Sequence, residues 1–142
     1  MDLMDFSIKA GLALLGGFGI GIEREIRHKS AGLKTNSLVS LGACIFVLIS
    51  LEFEGEAYVD TTRVIGQIVT GIGFIGAGTI LQRGDKVAGL TTAATIWCSA
   101  GAGCLAALGL FKELVVVCLM VVLVNFIFSI AEKKLFNKDP ED

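Results

Sequence analysis

Five long apolar runs, 6–22, 35–51, 64–81, 88–108 and 114–130, contain only one charged residue, Lys9, of the chain's 12 Lys and Arg and 14 Asp and Glu. The runs are 17, 17, 18, 21 and 17 residues long. Crossing a hydrocarbon core of about 30 Å takes roughly 17–25 helical residues, so each run is long enough to be a transmembrane helix. None carries the wide polar stripe that a soluble helix turns to water. The 142-residue chain is 54% hydrophobic and only 18% charged, against roughly 25% charged in a soluble domain. It is read as an all-α integral membrane protein with five transmembrane helices. Residues 1–135 form that domain, and 136–142 form a short polar tail. A net charge of −2 without a basic block gives nucleic acid nothing to hold. A single His, with no Cys pair at metal spacing, excludes a zinc finger. The start, Met1-Asp2-Leu3-Met4-Asp5, is acidic rather than basic, so it is not read as a secretory leader and the first helix is expected to stay.

Lys and Arg set the expected orientation. The first loop holds four, the third loop two and the tail three, whereas the opposite face holds Lys9, Arg63 and Lys112. Nine against three puts the C-terminus in the cytoplasm and the N-terminus outside. The outer loop then carries Glu52, Glu54, Glu56 and Asp60, an acidic mouth.

An offset of 57 residues aligns two hairpins without a gap. Gly16, Gly19 and Gly21 fall on Gly73, Gly76 and Gly78, and Ala31-Gly32-Leu33-x-Thr35 falls on Ala88-Gly89-Leu90-x-Thr92. Nine of the 28 positions from 16 to 43 are identical. Both first helices run in the same direction, so the repeats are parallel and an axis along the membrane normal would relate them. The architecture expected is two parallel-repeat hairpins plus a fifth helix. Glycines let helix backbones approach where lipid offers no hydrophobic drive. Gly16, Gly19, Gly21, Gly73, Gly76 and Gly78 are read as packing positions, and helices 1, 3 and 4 as the tight centre. The bulky fifth helix should face lipid or another subunit.

The chain offers few polar groups that could carry chemistry. Glu23 and Arg24 end the first helix, with Arg27 spaced to pair with Glu23. That pair is either an interfacial salt bridge or a partly buried carboxylate facing the centre, which would be functional by default. Thr35 and Asn36 open helix 2, and Thr91 and Thr92 open helix 4, with Thr95 one turn on. These threonines either cap free N–H groups or make two helix N-termini a paired anion-favouring site. Asp60 and Arg63 flank the start of helix 3 as a cap and local pair. With Glu52, Glu54 and Glu56, Asp60 could instead gather Mg²⁺, which needs only one or two carboxylates. Gln67, Thr70 and Asn125 are expected to hydrogen-bond between helices, Trp97 to pack, and the four cysteines to act as small hydrophobes. No catalytic residue set is found, so no enzyme is expected.

These stretches carry a resemblance. Gly19-Ile20-Gly21-Ile22-Glu23-Arg24-Glu25, Ala31-Gly32-Leu33-Lys34-Thr35-Asn36, Arg63 through Leu81 and Gly89 through Ala100 resemble the MgtC/SapB family of bacterial inner-membrane proteins. The likeness covers roughly residues 10–130. It implies five spans, a cytoplasmic C-terminus, adaptation to low Mg²⁺ and, in pathogens, survival inside host cells. It also implies a link to restraint of the F-type ATP synthase, and direct Mg²⁺ transport has been proposed for the family. Glu23, Arg24, Thr35, Asp60, Arg63, Thr92 and Thr95 match the family pattern. Thr91 and Thr61 depart from it, standing where Asn and Pro are frequent. The chain is expected to lack the ACT-like C-terminal domain of well-known members. The resulting expectation is a non-enzymatic protein of Mg²⁺ homeostasis that acts on a membrane partner and forms a homodimer, with Mg²⁺ the one candidate cofactor. The alternative is a small cation transporter or channel.

Overall fold

A computed structural model describes residues 1–57 and 60–136. The tail beyond 136, including Lys138, lies outside the described residues, as do the side chains of Lys133 and Lys134. The order is α1 Leu3–Ile26, α2 Leu33–Leu51, α3 Thr62–Ala77, β1 Leu81–Arg83, β2 Lys86–Ala88, α4 Leu90–Ala107 and α5 Phe111–Phe136. The chain is thus an all-α membrane protein, apart from one small hairpin. Helices α1, α2, α4 and α5 are long and apolar enough to cross a bilayer.

The α2 and α4 helices begin at Leu33 and Leu90, one 57-residue offset apart, with Gly32 and Gly89 as their N-caps. The repeat is therefore visible in the two helix starts. It fades in the helices before them. The α3 helix has 16 residues, about 24 Å at 1.5 Å per residue, and stops four residues short of the expected end at Leu81. The chain tightens after Gly76, whose carbonyl accepts both the Thr79 N–H at 2.9 Å and the Thr79 hydroxyl at 2.7 Å. It then runs into the hairpin, where Leu81 pairs with Ala88, Gln82 with Val87 and Arg83 with Lys86. Leu81 and Ala88, read from the sequence as the ends of two spans, are instead strand partners. Gly89 closes this turn at φ +89, packed so near the Thr79 carbonyl that a side chain would overlap it.

The centre is built by α1, α2 and α4 rather than by helices 1, 3 and 4. Buried positions recur on α2 as Asn36, Ser40, Ala43, Cys44, Val47 and Leu48, whereas α3 buries only Gly76. The cause is the placement of small and polar residues: they form one stripe on α2, while the polar Gln67 and Thr70 of α3 are exposed. Ser40 joins all three central helices. Its hydroxyl donates to the Ala13 carbonyl of α1 at 2.7 Å, and its own carbonyl lies where a Cβ on Gly103 of α4 would be. Such close backbone approach supplies the dispersion energy that holds helices together in lipid. The α5 helix is the least buried candidate span, at 6%, as its bulky β-branched surface leads one to expect. Trp97, expected to pack, is 52% exposed on α4.

The glycines expected to pack divide into two groups. A Cβ on Gly16 would meet Leu114 at 3.0 Å, one on Gly21 would meet the Gly32 carbonyl at 2.8 Å, and one on Gly76 would touch Ala93 at 3.4 Å. At Gly19 and Gly73 nothing lies within 4 Å, and Gly78, the C-cap of α3, meets only its own turn. Gly17 is the tightest of the α1 glycines and lies against the backbone of Asn36 and Ser37.

Candidate functional site

The last turns of α1 turn three charged residues toward the start of α4 and the end of α5. Arg24 is 2% exposed and Glu23 7%. Burying a charge at this depth is unfavourable unless it is paired and hydrogen-bonded. Arg24 donates from its guanidinium to the Thr92 hydroxyl and to the Ser30 carbonyl, the latter at 3.3 Å. Glu23 Oε1 pairs with Arg27 Nε at 2.8 Å, so this carboxylate is both salt-bridged and buried. Arg27 also donates to the Ser129 hydroxyl of α5 and lies 4.9 Å from the Phe126 ring centroid. Oε2 of Glu23 is buried with no hydrogen-bond partner among the described residues.

A second thread of polar groups crosses the same end of the bundle. The Asn36 side-chain amide donates to the carbonyls of Ala31 and Gly32, the latter at 3.0 Å. Its oxygen accepts from Ser99 at 2.8 Å. The Ser99 hydroxyl is also 3.1 Å from the Thr95 carbonyl. The Thr95 hydroxyl donates to Thr91 O at 2.8 Å and accepts from Asn125 of α5 at 3.4 Å. Helices α2, α4 and α5 are thereby tied by groups that satisfy one another, the condition for keeping polar residues in a core.

Of the residues singled out in the sequence, Glu23, Arg24, Asn36, Thr92 and Thr95 are brought together here. Thr35 shares the helix start but is only half-buried, and no side-chain bond of it is found among the described residues. The capping expectation for the threonines is not met. The caps are Gly32 and Gly89, without a side-chain cap bond. Thr92 stands in the first turn of α4 with its hydroxyl turned to Arg24. Asp60 and Arg63 lie exposed at the other end of the bundle. Asp60 Oδ1 accepts from the Thr62 N–H at 3.0 Å and the Thr62 hydroxyl at 2.6 Å. These bonds, with Arg63 nearby, hold the Asp60 carboxyl below its ordinary value. Glu52 pairs with the N-terminal amine at 2.7 Å. Among the described residues no three His, Cys, Asp or Glu side chains come together as a metal-holding group.

The sequence reading missed Ser40, Ser99 and Ser129. A signal was present: Asn36 and Ser40, Thr95 and Ser99, and Asn125 and Ser129 are polar pairs at i,i+4, which places each pair on one helix face.

A family model described as the MgtC family matches residues 11–134. Protein MgtC of Brucella abortus (strain 2308) is 50% identical over 116 residues, covering 82% of this chain and 48% of that protein. Protein MgtC of Salmonella typhimurium (strain LT2) is 43% identical over 123 residues, covering 87% and 52%. An uncharacterized protein of Synechocystis sp. is 43% identical over 125 residues, covering 88% and 53%. The chain therefore spans about half the length of the relatives it matches. No solved structure matches it.

Proposed function

The chain belongs to the MgtC family, and from that premise we propose that it is a multi-pass inner-membrane protein that serves adaptation to low Mg²⁺ by acting on a membrane partner, without enzymatic activity. The observation that carries this reading is where the polar groups lie. They gather at one end of the bundle around Arg24–Thr92 and Asn36–Ser99. Beyond Ser40 the interior closes with Ala13, Ala43, Cys44, Val47, Leu48, Ala102 and Ala106. A cation crossing that interior would lose its water without finding other ligands. A protein that works by contact needs only an end or a face. The family resemblance points to the F-type ATP synthase as the partner, and the exposed α5 supports a second copy of the chain as a further neighbour. The test is a Mg²⁺ flux assay in reconstituted liposomes beside a cross-linking pull-down from membranes. The expected result is no flux above empty liposomes and a captured inner-membrane protein. Flux that depends on the chain, and is lost with Glu56→Ala, would move the assignment to a small cation transporter fed by the exposed Glu52, Glu54 and Glu56. A dimer by native mass spectrometry in nanodiscs is expected, and a monomer there would remove the second copy.

A further inference from the structure

The connection between α3 and α4 is built unlike its counterpart between α1 and α2. The two connections meet α2 and α4 at matched residues, Leu33 and Leu90, so they lie at the same end of the bundle. At the 57-residue offset Glu23 falls on Ile80, Arg24 on Leu81 and Ser30 on Val87. In the first repeat the charged pair is buried. In the second the apolar residues are turned outward: Ile80 is 37% exposed, Leu81 55% and Val87 49%, with Leu90 at 57%. A group of apolar side chains turned outward marks a surface made for another apolar phase.

The hairpin fixes how that surface is presented. Leu81 pairs with Ala88 at its base, and Arg83 with Lys86 at its turn. Polarity therefore changes along its length, from Ile80, Leu81, Val87 and Ala88 to the charged turn Arg83-Gly84-Asp85-Lys86. Val87 pairs with Gln82, one position along from the Leu81–Ala88 pair, so Leu81 and Val87 stand on opposite faces of the ribbon. A docked protein covers one face, whereas fluid lipid surrounds both. Gly89, packed on the Thr79 carbonyl, holds the base against the end of α3.

The depth of the base follows from what precedes it. The 16 residues of α3 span about 24 Å, less than the roughly 30 Å hydrocarbon core. The chain that follows therefore begins at the lipid boundary, just after the exposed Phe74 and Ile75 of the last α3 turns. It cannot go much deeper. Each strand of a two-stranded sheet turns a row of N–H and C=O away from its partner, and hydrocarbon offers these groups no water.

We propose that the β1–β2 hairpin is a membrane-interface anchor. Ile80, Leu81, Val87 and Leu90 lie about 5–10 Å into the boundary of headgroups and acyl chains, and the charged turn lies among the headgroups. The partner is the lipid surface itself. An anchor there also holds the first turn of α4, which carries Thr92, at a fixed depth. The inference stands under either reading of function, because it is read from depth rather than from growth or flux.

The test uses the full chain in nanodiscs with its single tryptophan moved. Trp97→Phe removes the native indole, and Val87→Trp or Asp85→Trp places one at the base or at the turn. Lipids brominated near the top of the acyl chain quench an indole at the boundary, and dissolved iodide quenches one in water. The expected result is that Val87→Trp emits to the blue of Asp85→Trp and is quenched strongly by these lipids and weakly by iodide, with Asp85→Trp the reverse. Lipids brominated near the chain end should quench Val87→Trp less than those brominated near the top. Leu81→Asp added to Val87→Trp should lift the base, so that most of the bromolipid quenching is lost and iodide quenching rises. Circular dichroism checks that the helices are kept, and the Val87→Trp result stands by itself if Leu81→Asp does not fold. Iodide quenching of Val87→Trp equal to that of Asp85→Trp overturns the proposal, because the hairpin then stands in water. Shielding of Val87→Trp from both quenchers also overturns it and assigns the surface to a protein contact, a second copy included.

Discussion

Arg24 and Thr92 are 68 residues apart in sequence and joined by a hydrogen bond from guanidinium to hydroxyl in the buried end of the bundle. The bond fixes the last turns of α1 to the first turn of α4, the two elements on either side of the candidate site.

Thr92→Val keeps the volume of the side chain and removes the acceptor. A buried charged donor left without that acceptor is destabilising by about 1–3 kcal/mol. Thr35→Val, at the matching position of the other repeat, should change stability by about 0.5 kcal/mol or less. Unfolding in mixed micelles measures both, and equal losses would show that the Arg24 contact carries no special weight.

Close approach makes a prediction about glycines. Gly103→Ala and Gly17→Ala place a methyl on the backbones of Ser40 and Asn36, and overpacking of this kind is destabilising by about 1–3 kcal/mol or more. Gly19→Ala and Gly73→Ala meet open space within a single chain and should leave the monomer's unfolding midpoint unchanged. A loss at Gly19 or Gly73 that appears only in a dimer would place that residue in the contact between copies.

Glu23→Ala is expected to abolish rescue of growth in low Mg²⁺ while the protein still inserts, because it removes the salt bridge to Arg27 at the centre of the candidate site. Glu56→Ala, on the exposed outer loop, should leave rescue intact. Complementation with immunoblotting of membranes reads both, and the reverse pattern would favour transport.

The Asp60 carboxyl titrates below its ordinary value of 3.8, mainly because Thr62 donates to it. A carboxylate depressed in the folded state stabilises above the unfolded-chain value and loses that contribution as pH falls through its lower folded value. The amides of Thr62 and Arg63 should therefore exchange more slowly in the wild type than in Asp60→Ala near neutral pH. The two proteins should converge well below pH 3.8. A difference that persists there would mean that the carboxyl acts through something other than its charge.

Nine cationic residues on one set of loops and the tail, against three on the other, predict a cytoplasmic C-terminus. C-terminal reporter fusions should be active with a cytoplasmic reporter and silent with a periplasmic one. The opposite result refutes the orientation.

The helices were legible because charge exclusion is a strong signal: Lys9 alone interrupts the apolar runs, and four of the runs become helices of spanning length. The helix starts at Leu33 and Leu90 were legible through the repeat. The end of α3 was not, because Gly78, Thr79 and Ile80 are as apolar or small as the span before them. The helix stops where Thr79 and Ile80 bond back three residues, to Gly76 and Ala77, and the turn is then held by the hairpin that brings Gly89 against Thr79. In the site, Glu23 and Arg24 stood out as charges at a span's end. Their partners did not, since nothing local marks Thr92 as an acceptor for a guanidinium in another hairpin. Exchanging α3 for α2 at the centre follows the same logic. Glycine count favoured α3, but the face that is buried is decided by where Asn36 and Ser40 find partners.

The shortness of α3 has a consequence for the lipid around it. Sixteen helical residues fall about 6 Å short of a hydrocarbon core of about 30 Å, and each ångström of mismatch costs a fraction of a kcal/mol. A bilayer that meets so short a span is expected to thin beside it and to keep its full depth beside a long helix such as α5, which gives a sloping annulus. A neighbour whose own helix is short would release that elastic strain by standing against α3, whereas a long one would deepen it. Membrane thickness alone can therefore choose which side of this protein a partner approaches. In thicker bilayers the choice should become stricter.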